Sequence, residues 1–365
     1  MTENSKQIRF LLCSPGDSVE GGIPAVVLGL RKVFEQLNGV HYKKINYGKP
    51  KRNINILLRL FYELIQVINF IITSVSFNSH FNFIQSSFGK KAIIRDTIHL
   101  YITLVLRRKF LLQLHGGELA DLEDWSKFWY KISINLLKKS TGVIVTSKEE
   151  HEILLSLNIN KNVYQINNPI VFPRQIPKKK FKTNPPYTII FASRLIPTKG
   201  IEDLLHSIKL IQGDFILKIF GTGSLFDSAR NYIIDSNLEK RVQLLGDVSL
   251  EDLLVEYANG DIYIFPSYHD EGFPMAFFYA LCSSMAIVST RIRPIKDFLK
   301  DGFNCLWIDL KSPRSIANQL NTLLNNQSMI EKFSQNNSVF LELFSPSNIA
   351  PQVNNIFESI LETQG

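Results

Sequence analysis

The sequence holds only three cysteines, Cys13, Cys282 and Cys305, far apart and odd in number. That excludes a disulfide framework and any cysteine metal spacing, and it points to a reducing cytosol. The opening residues MTENSKQIRFLLCSPGD start polar and carry an apolar run too short for a signal peptide, so no secretion signal is expected. The longest apolar stretch, residues 54–77, is interrupted by Arg59, Glu63, Gln66 and Asn69, and its uncharged part falls short of a bilayer span. No G-x-G-x-x-G fingerprint, internal repeat or extended low-complexity run occurs. Acid is scarce at one end. Residues 1–182 carry 27 Lys and Arg against 13 Asp and Glu, a net +14, whereas residues 183–365 carry 14 against 20, a net −6. Such asymmetry says that the two halves face different partners. The basic residues are dispersed, without the aromatic-basic modules of nucleic-acid binders, so no nucleic acid is expected. An anionic membrane surface or a lipid phosphate suits the basic half.

What is present is a strand–loop–helix alternation over 365 residues, 45% of them hydrophobic, which is ample for two packed domains. Ile8 to Cys13 reads as a strand, followed by the pair Gly21-Gly22 and a helix from Ala25 to Leu37. Paired glycines let a backbone approach a phosphate or sugar, or simply make a tight turn. The basic turn Lys49-Pro50-Lys51-Arg52 precedes residues 54–77, which read as a buried core helix or a pair of them, or as a helix resting on a membrane. Phe110 to Leu114 is a strand running into His115-Gly116-Gly117; a histidine at the carboxyl end of an inner strand is placed to meet a ligand. Ser147 with Glu150, and Ser249 with Asp252, read as capping boxes. The proline- and lysine-rich stretch 173–186 reads as an exposed linker. The alternation predicts two doubly wound parallel α/β domains, residues 1–172 and 187–345, with a last helix within 346–365.

Three loops of the second half share one setting, each following a strand and opening a helix: Ser193–Gly200, Gly221–Ser224 and His269–Pro274. In a parallel sheet all three lie on one edge. The first supplies Arg194, whose guanidinium forks onto phosphate oxygens, and Lys199, a point charge. The second supplies Gly221 and Gly223 with free amides at a helix N-terminus, suited to an anion. The third supplies Glu271, able to accept hydrogen bonds from sugar hydroxyls. Phosphate and polyol gathered at one crevice describe a nucleotide sugar. The plainer reading pairs Arg194 and Lys199 with Glu202 or Asp203, and has Asp270 and Glu271 merely favour the next helix's N-terminus.

The ordered set Gly21-Gly22, His115-Gly116, Asn168-Pro169, Ser193-Arg194-Leu195 with Lys199-Gly200, Gly221-Thr222-Gly223, and Asp261 with Pro266-Ser267 and Glu271-Gly272-Phe273-Pro274 resembles that of the retaining GT-B glycosyltransferases of family 4, common in bacterial polysaccharide assembly. The resemblance spans almost the whole chain. It implies two Rossmann-like domains facing a cleft, the first for the acceptor and the second for the donor, with the last helix crossing back to the first. It implies that Arg194 and Lys199 hold the donor diphosphate and that Glu271 touches the donor sugar, within a loop that includes Gly272, Phe273 and Pro274. It implies that His115 lies under the sugar and that Gly21 and Gly22 admit phosphates and acceptor. Retention of anomeric configuration without a metal is implied, in keeping with the lack of a D-x-D element. So are a UDP- or GDP-linked donor in place of any cofactor, and a glycan or polyprenyl-diphosphate-linked acceptor met at the inner face of the membrane. One departure stands out: the family's second glutamate, on the nucleotide ribose, is here Tyr279, which offers one hydroxyl in place of a carboxylate's two oxygens. Two other readings stay open, a non-catalytic sugar-nucleotide-binding component of an assembly complex and a nucleotide-sugar epimerase.

Overall fold

Short apolar runs bounded by turns become strands buried on both faces, as Gly142–Val145 and Ile262–Phe265 are at every position. The computed structural model of the chain describes residues 7–16, 21–48, 55–159, 162–173, 182, 184–268 and 271–363. The basic turn at 49–52, most of the 173–186 linker, and His269 with Asp270 lie outside them. The chain divides into two units: Met1–Val171 with Glu271–Phe273 and Ser345–Gly365, and Phe172–Asp270 with Pro274–Phe344.

The first unit runs β1 (Ile8–Ser14), α1 (Gly22–Phe34), β2 (Val40–Asn46), α2 (Ile56–Ser76), β3 (Phe81–Ser86), α3 (Lys90–Val105), β4 (Lys109–Leu114), a 3-10 segment (Gly117–Asp124), α4 (Lys127–Lys139), β5 (Gly142–Val145), α5 (Lys148–Ser156) and β6 (Val163–Gln165). Its sheet is parallel, in the order β2-β1-β3-β4-β5-β6. The order reverses between β1 and β3, and ligands bind beyond the carboxyl ends of strands at such a point. The capping box at α5 is complete: Glu150 N–H donates to Ser147 Oγ and Ser147 N–H to the Glu150 carboxylate, 3.2 Å each.

Residues 56–76 form one helix, and it is not a core helix. Leu58, Phe61, Ile65, Ile68 and Ile72, spaced three and four apart on one face, are between 47% and 61% exposed, while Phe70 and Ser74 on the other side are buried. The polar edge is what the protein holds. Gln66 exchanges hydrogen bonds of 2.8 and 3.2 Å with the backbone of Gly48, which fixes the rotation of α2 and leaves its apolar stripe outward.

The second unit runs β7 (Tyr187–Ala192), a 3-10 turn (Pro197–Lys199), α6 (Ile201–Ser207), β8 (Phe215–Phe220), α7 (Phe226–Asp235), β9 (Val242–Gly246), α8 (Leu250–Asn259), β10 (Ile262–Phe265), α9 (Met275–Cys282), β11 (Ala286–Thr290), β12 (Cys305–Ile308), α10 (Pro313–Leu324), α11 (Gln327–Asn337) and α12 (Phe340–Leu343). Its parallel sheet has the order β12-β11-β10-β7-β8-β9, so the switch point lies between β7 and β10. At α8, Ser249 accepts from the Asp252 amide at 3.1 Å, and the Asp252 carboxylate accepts from Ser249 Oγ at 2.7 Å. The reciprocal bond to the Ser249 backbone expected of a capping box is replaced by this hydroxyl contact, because aspartate is one methylene shorter than glutamate.

The last helix, α13 (Pro346–Glu362), belongs to the first unit. Its Phe357 ring lies 5.0 Å from those of both Phe10 and Phe81. Lys109 Nζ donates to the carbonyls of Ile360 and Leu361 at 2.8 and 2.6 Å, satisfying acceptors that a helix C-terminus leaves open.

Candidate functional site

Three adjacent strands of the second unit, β10, β7 and β8, send their carboxyl-end loops to one edge. The β7 loop carries Arg194, exposed, and Lys199, buried at 2% exposure on the 3-10 turn. The Arg194 guanidinium makes no ion pair with a described residue, so among those residues the pairing with Glu202 or Asp203 is not formed. The loops are laced through their backbones. Leu195 N–H donates to Thr222 O at 2.9 Å, Leu225 N–H to Leu195 O at 2.9 Å, and Tyr268 N–H to Thr198 O at 3.0 Å. This lacing explains one glycine. Gly221 has φ +114°, and a Cβ there would stand 2.0 Å from the Ser193 carbonyl oxygen. It is therefore required by the neighbouring loop, whatever else approaches it. Gly223 lies in the same turn before α7, whose N-cap, Leu225, supplies no side-chain hydrogen bond, so the first-turn amides have no side-chain cap.

In the first unit, Glu271–Phe273 packs beside the loops after β4 and β5. Thr146 Oγ1 donates to the Gly272 carbonyl at 2.9 Å, and a Cβ on Gly272 would stand 2.4 Å from the His115 carbonyl oxygen. The structure thus brings the Glu271 segment and His115 together. Glu271 is half-buried, while Phe273 and Pro274 are buried. His115 Nε2 lies 2.7 Å from Gln85 Oε1, an acceptor, so that nitrogen carries the proton and Nδ1 keeps its lone pair. Burial pushes the His115 pKa down to about 3, so the imidazole is neutral. Gly21 precedes α1 and Gly22 is its first residue, both exposed.

A cavity of about 810 Å³ opens at the first unit's switch point, between the ends of β1 and β3 and the helices α2 and α3. Beneath it runs a polar network that sequence reading did not find. Asp96 accepts from Tyr47 Oη at 2.7 Å, from Ser86 Oγ and from Arg95 Nε at 2.9 Å. Arg95 also lies over the Tyr47 ring at 4.0 Å. Burial first, then the charge of Asp96, pushes the Tyr47 phenol well above its ordinary value, so it stays a donor. His99 Nδ1 donates to the Arg95 carbonyl at 2.8 Å, and burial lowers the His99 pKa. The sequence signal was Asp96 itself, an acid in the middle of an apolar helix and directly after an arginine.

Tyr279 sits within α9, 3% exposed, its ring edge-on to Phe172 at 5.6 Å. Burial, with a smaller contribution from Cys282, raises its pKa to about 12. All three cysteines are free and buried, and burial raises each thiol, which removes the thiolate a nucleophile requires.

Comparisons with known proteins agree with this architecture. The family model "Glycosyl transferases group 1" matches residues 173–339. An uncharacterized glycosyltransferase of Methanocaldococcus jannaschii is 23% identical over 286 residues, 78% of this chain and 75% of that one. The poly(ribitol-phosphate) alpha-N-acetylglucosaminyltransferase of Staphylococcus aureus is 27% identical over 253 residues, 67% of this chain and 50% of that one. Among solved structures, Anabaena HepE in complex with UDP and glucose superposes with a TM-score of 0.73 at 15% identity, covering 97% of this chain and 100% of the other. The fold is GT-B, with two parallel six-stranded sheets flanked by helices, and the sequence matches support a glycosyltransferase.

Proposed function

We propose that the protein is a retaining, metal-independent hexosyltransferase of family 4. It moves a sugar from a UDP- or GDP-linked donor to a glycan or polyprenyl-diphosphate-linked glycan in cell-surface polysaccharide synthesis. The observation that carries this reading is the second unit's switch point between β7 and β10, where one loop presents both Arg194 and Lys199 beside the α7 N-terminus. The capsular polysaccharide glycosyltransferase CapM of Staphylococcus aureus, 24% identical over 305 residues, supports the placement in surface polysaccharide synthesis.

In this reading Arg194, Lys199 and the α7 amides stabilise the diphosphate as charge develops on it. Glu271 orients the sugar hydroxyls, and neutral His115 lies close to the same segment. The bond between the anomeric carbon and the phosphate oxygen breaks as the acceptor hydroxyl adds on the same face, and the leaving phosphate oxygen takes the acceptor's proton. The acceptor meets the basic first unit, in peripheral contact with the inner face of the membrane.

The test is binding of UDP-, GDP-, ADP- and dTDP-sugars to the full chain and to Arg194→Ala and Lys199→Ala. One nucleotide should bind, and each substitution should weaken it roughly 10- to 100-fold, the worth of a charge-assisted hydrogen bond. Unchanged binding in Arg194→Ala would overturn the assignment. Altered sugar recovered without any acceptor would instead indicate an epimerase.

A further inference from the structure

The outward face of α2 continues onto α3. Along α3, Ile94, Ile98, Tyr101 and Val105 recur at spacings of four, three and four, and they are 45%, 47%, 43% and 81% exposed. The two stripes meet at the mouth of the 810 Å³ cavity, whose walls include Val67 of α2 and Ile94 and Ile98 of α3. Two neighbouring helices that both turn their apolar side to water form a patch of the kind that marks an interaction surface.

Charge around the patch selects its occupant. Lys90 and Lys91 are exposed at one end of the α3 stripe, and Arg107 is exposed just past the other. Glu63 is the one acid of α2, and Asp96, the one acid of α3, is buried within the network under the cavity. The sequence just before α2 adds Lys49, Lys51 and Arg52. A second copy docking by two-fold symmetry would set these basic rims against each other. Anionic headgroups would neutralise them, while the apolar stripes enter the boundary between headgroup and acyl chain. No helix among the described residues is long and apolar enough to cross a membrane, so a helix with such a stripe suits lying in the interface.

We propose that the outward faces of α2 and α3 dock on an anionic lipid bilayer and turn the first unit's cavity toward the headgroups, so that the acceptor is met as a membrane-anchored amphiphile. The part that concerns the acceptor rests on the glycosyltransferase reading above; the docking does not.

The test is co-sedimentation of the full chain with vesicles of phosphatidylcholine alone and of equal parts phosphatidylcholine and phosphatidylglycerol, with nucleotide binding measured in parallel. The wild type should pellet with the anionic vesicles and be released by salt. The double variant Ile68→Asp/Ile72→Asp should bind them at least about tenfold more weakly, because two inserted side chains are lost from the apolar face. Lys90→Glu/Lys91→Glu should lose the preference for anionic lipid. All variants should keep wild-type thermal stability and nucleotide affinity, since the altered side chains are exposed. Wild-type protein that stays in the supernatant with anionic vesicles would overturn the proposal. So would an Ile68→Asp/Ile72→Asp protein that pellets like the wild type, or a lipid-free dimer dissolved by those substitutions. Each of these results leaves the nucleotide measurements standing, and loss of nucleotide binding alone would leave the docking surface standing.

Discussion

Protonating His115 should loosen the first unit in a defined pH window. Its folded pKa is about 3 against an ordinary 6.5, because burial disfavours the imidazolium. The sign follows from proton counting. Between these values the unfolded chain binds the proton and the folded chain does not, so stability is fully present above pH 6.5 and falls as pH drops toward 3. The limiting slope is about 1.4 kcal/mol per pH unit. From pH 6.5 to 4.5 that gives roughly 2.7 kcal/mol, and solvent at the half-buried ring reduces it to about 2 kcal/mol. Urea denaturation at pH 7.5, 6.5, 5.5 and 4.5 would measure it. His99 contributes in the same direction, its pKa also being lowered by burial, so the readout is the difference between wild type and His115→Gln. The variant should lose about 2 kcal/mol less than the wild type across that interval. Parallel pH curves, or an NMR titration placing His115 near 6.5, would refute the assignment of a neutral, Nε2-protonated ring held by Gln85.

Three further outcomes are expected. Gly221→Ala should cost at least about 2 kcal/mol and abolish nucleotide binding, because it combines a positive φ with a clash against the Ser193 carbonyl; circular dichroism melting and calorimetric titration would show it. Phe357→Ala should destabilise the first unit by about 3–5 kcal/mol, read by denaturant unfolding, since its ring fills space against Phe10 and Phe81. Tyr279→Glu should lower thermal stability by placing a carboxylate at a 3% exposed site, with no gain in preference for a ribonucleotide over its 2′-deoxy form; a gain would show that the position still faces the ribose.

Buried strands were legible because parallel sheets demand continuous apolar runs, and Ile262–Phe265 and Phe110–Leu114 are such runs. The Ser147–Glu150 capping box was legible because it is a local contract between two side chains and their own backbone. The sense of α2 was not. A helical stripe of leucine and isoleucine says that a face exists, and only the tie from Gln66 to Gly48 decides which way it points. Non-local polar contacts were equally hidden: nothing in the spacing of Tyr47, Ser86 and Asp96 announces that they meet. The segment Glu271–Phe273 was read from its sequence neighbours, yet its packing partners are Thr146 and the His115 backbone. The 3-10 segment at Gly117–Asp124 and helix α4 were left unassigned, because the first is short and polar and the second opens on Ser126 without a side-chain cap.

The position of α13 has a consequence for synthesis. The aromatic ring that completes the surroundings of Phe10 comes from Phe357, and the acceptor carbonyls for Lys109 Nζ lie 251 and 252 residues downstream of it. A ribosome therefore delivers the first unit's sheet long before the helix that seals it. Until residues 346–362 emerge, the nascent chain lacks the ring that covers Phe10, Phe34 and Phe81. The first unit is thus begun first and finished last, with an open apolar flank that a chaperone can hold while the second unit is translated.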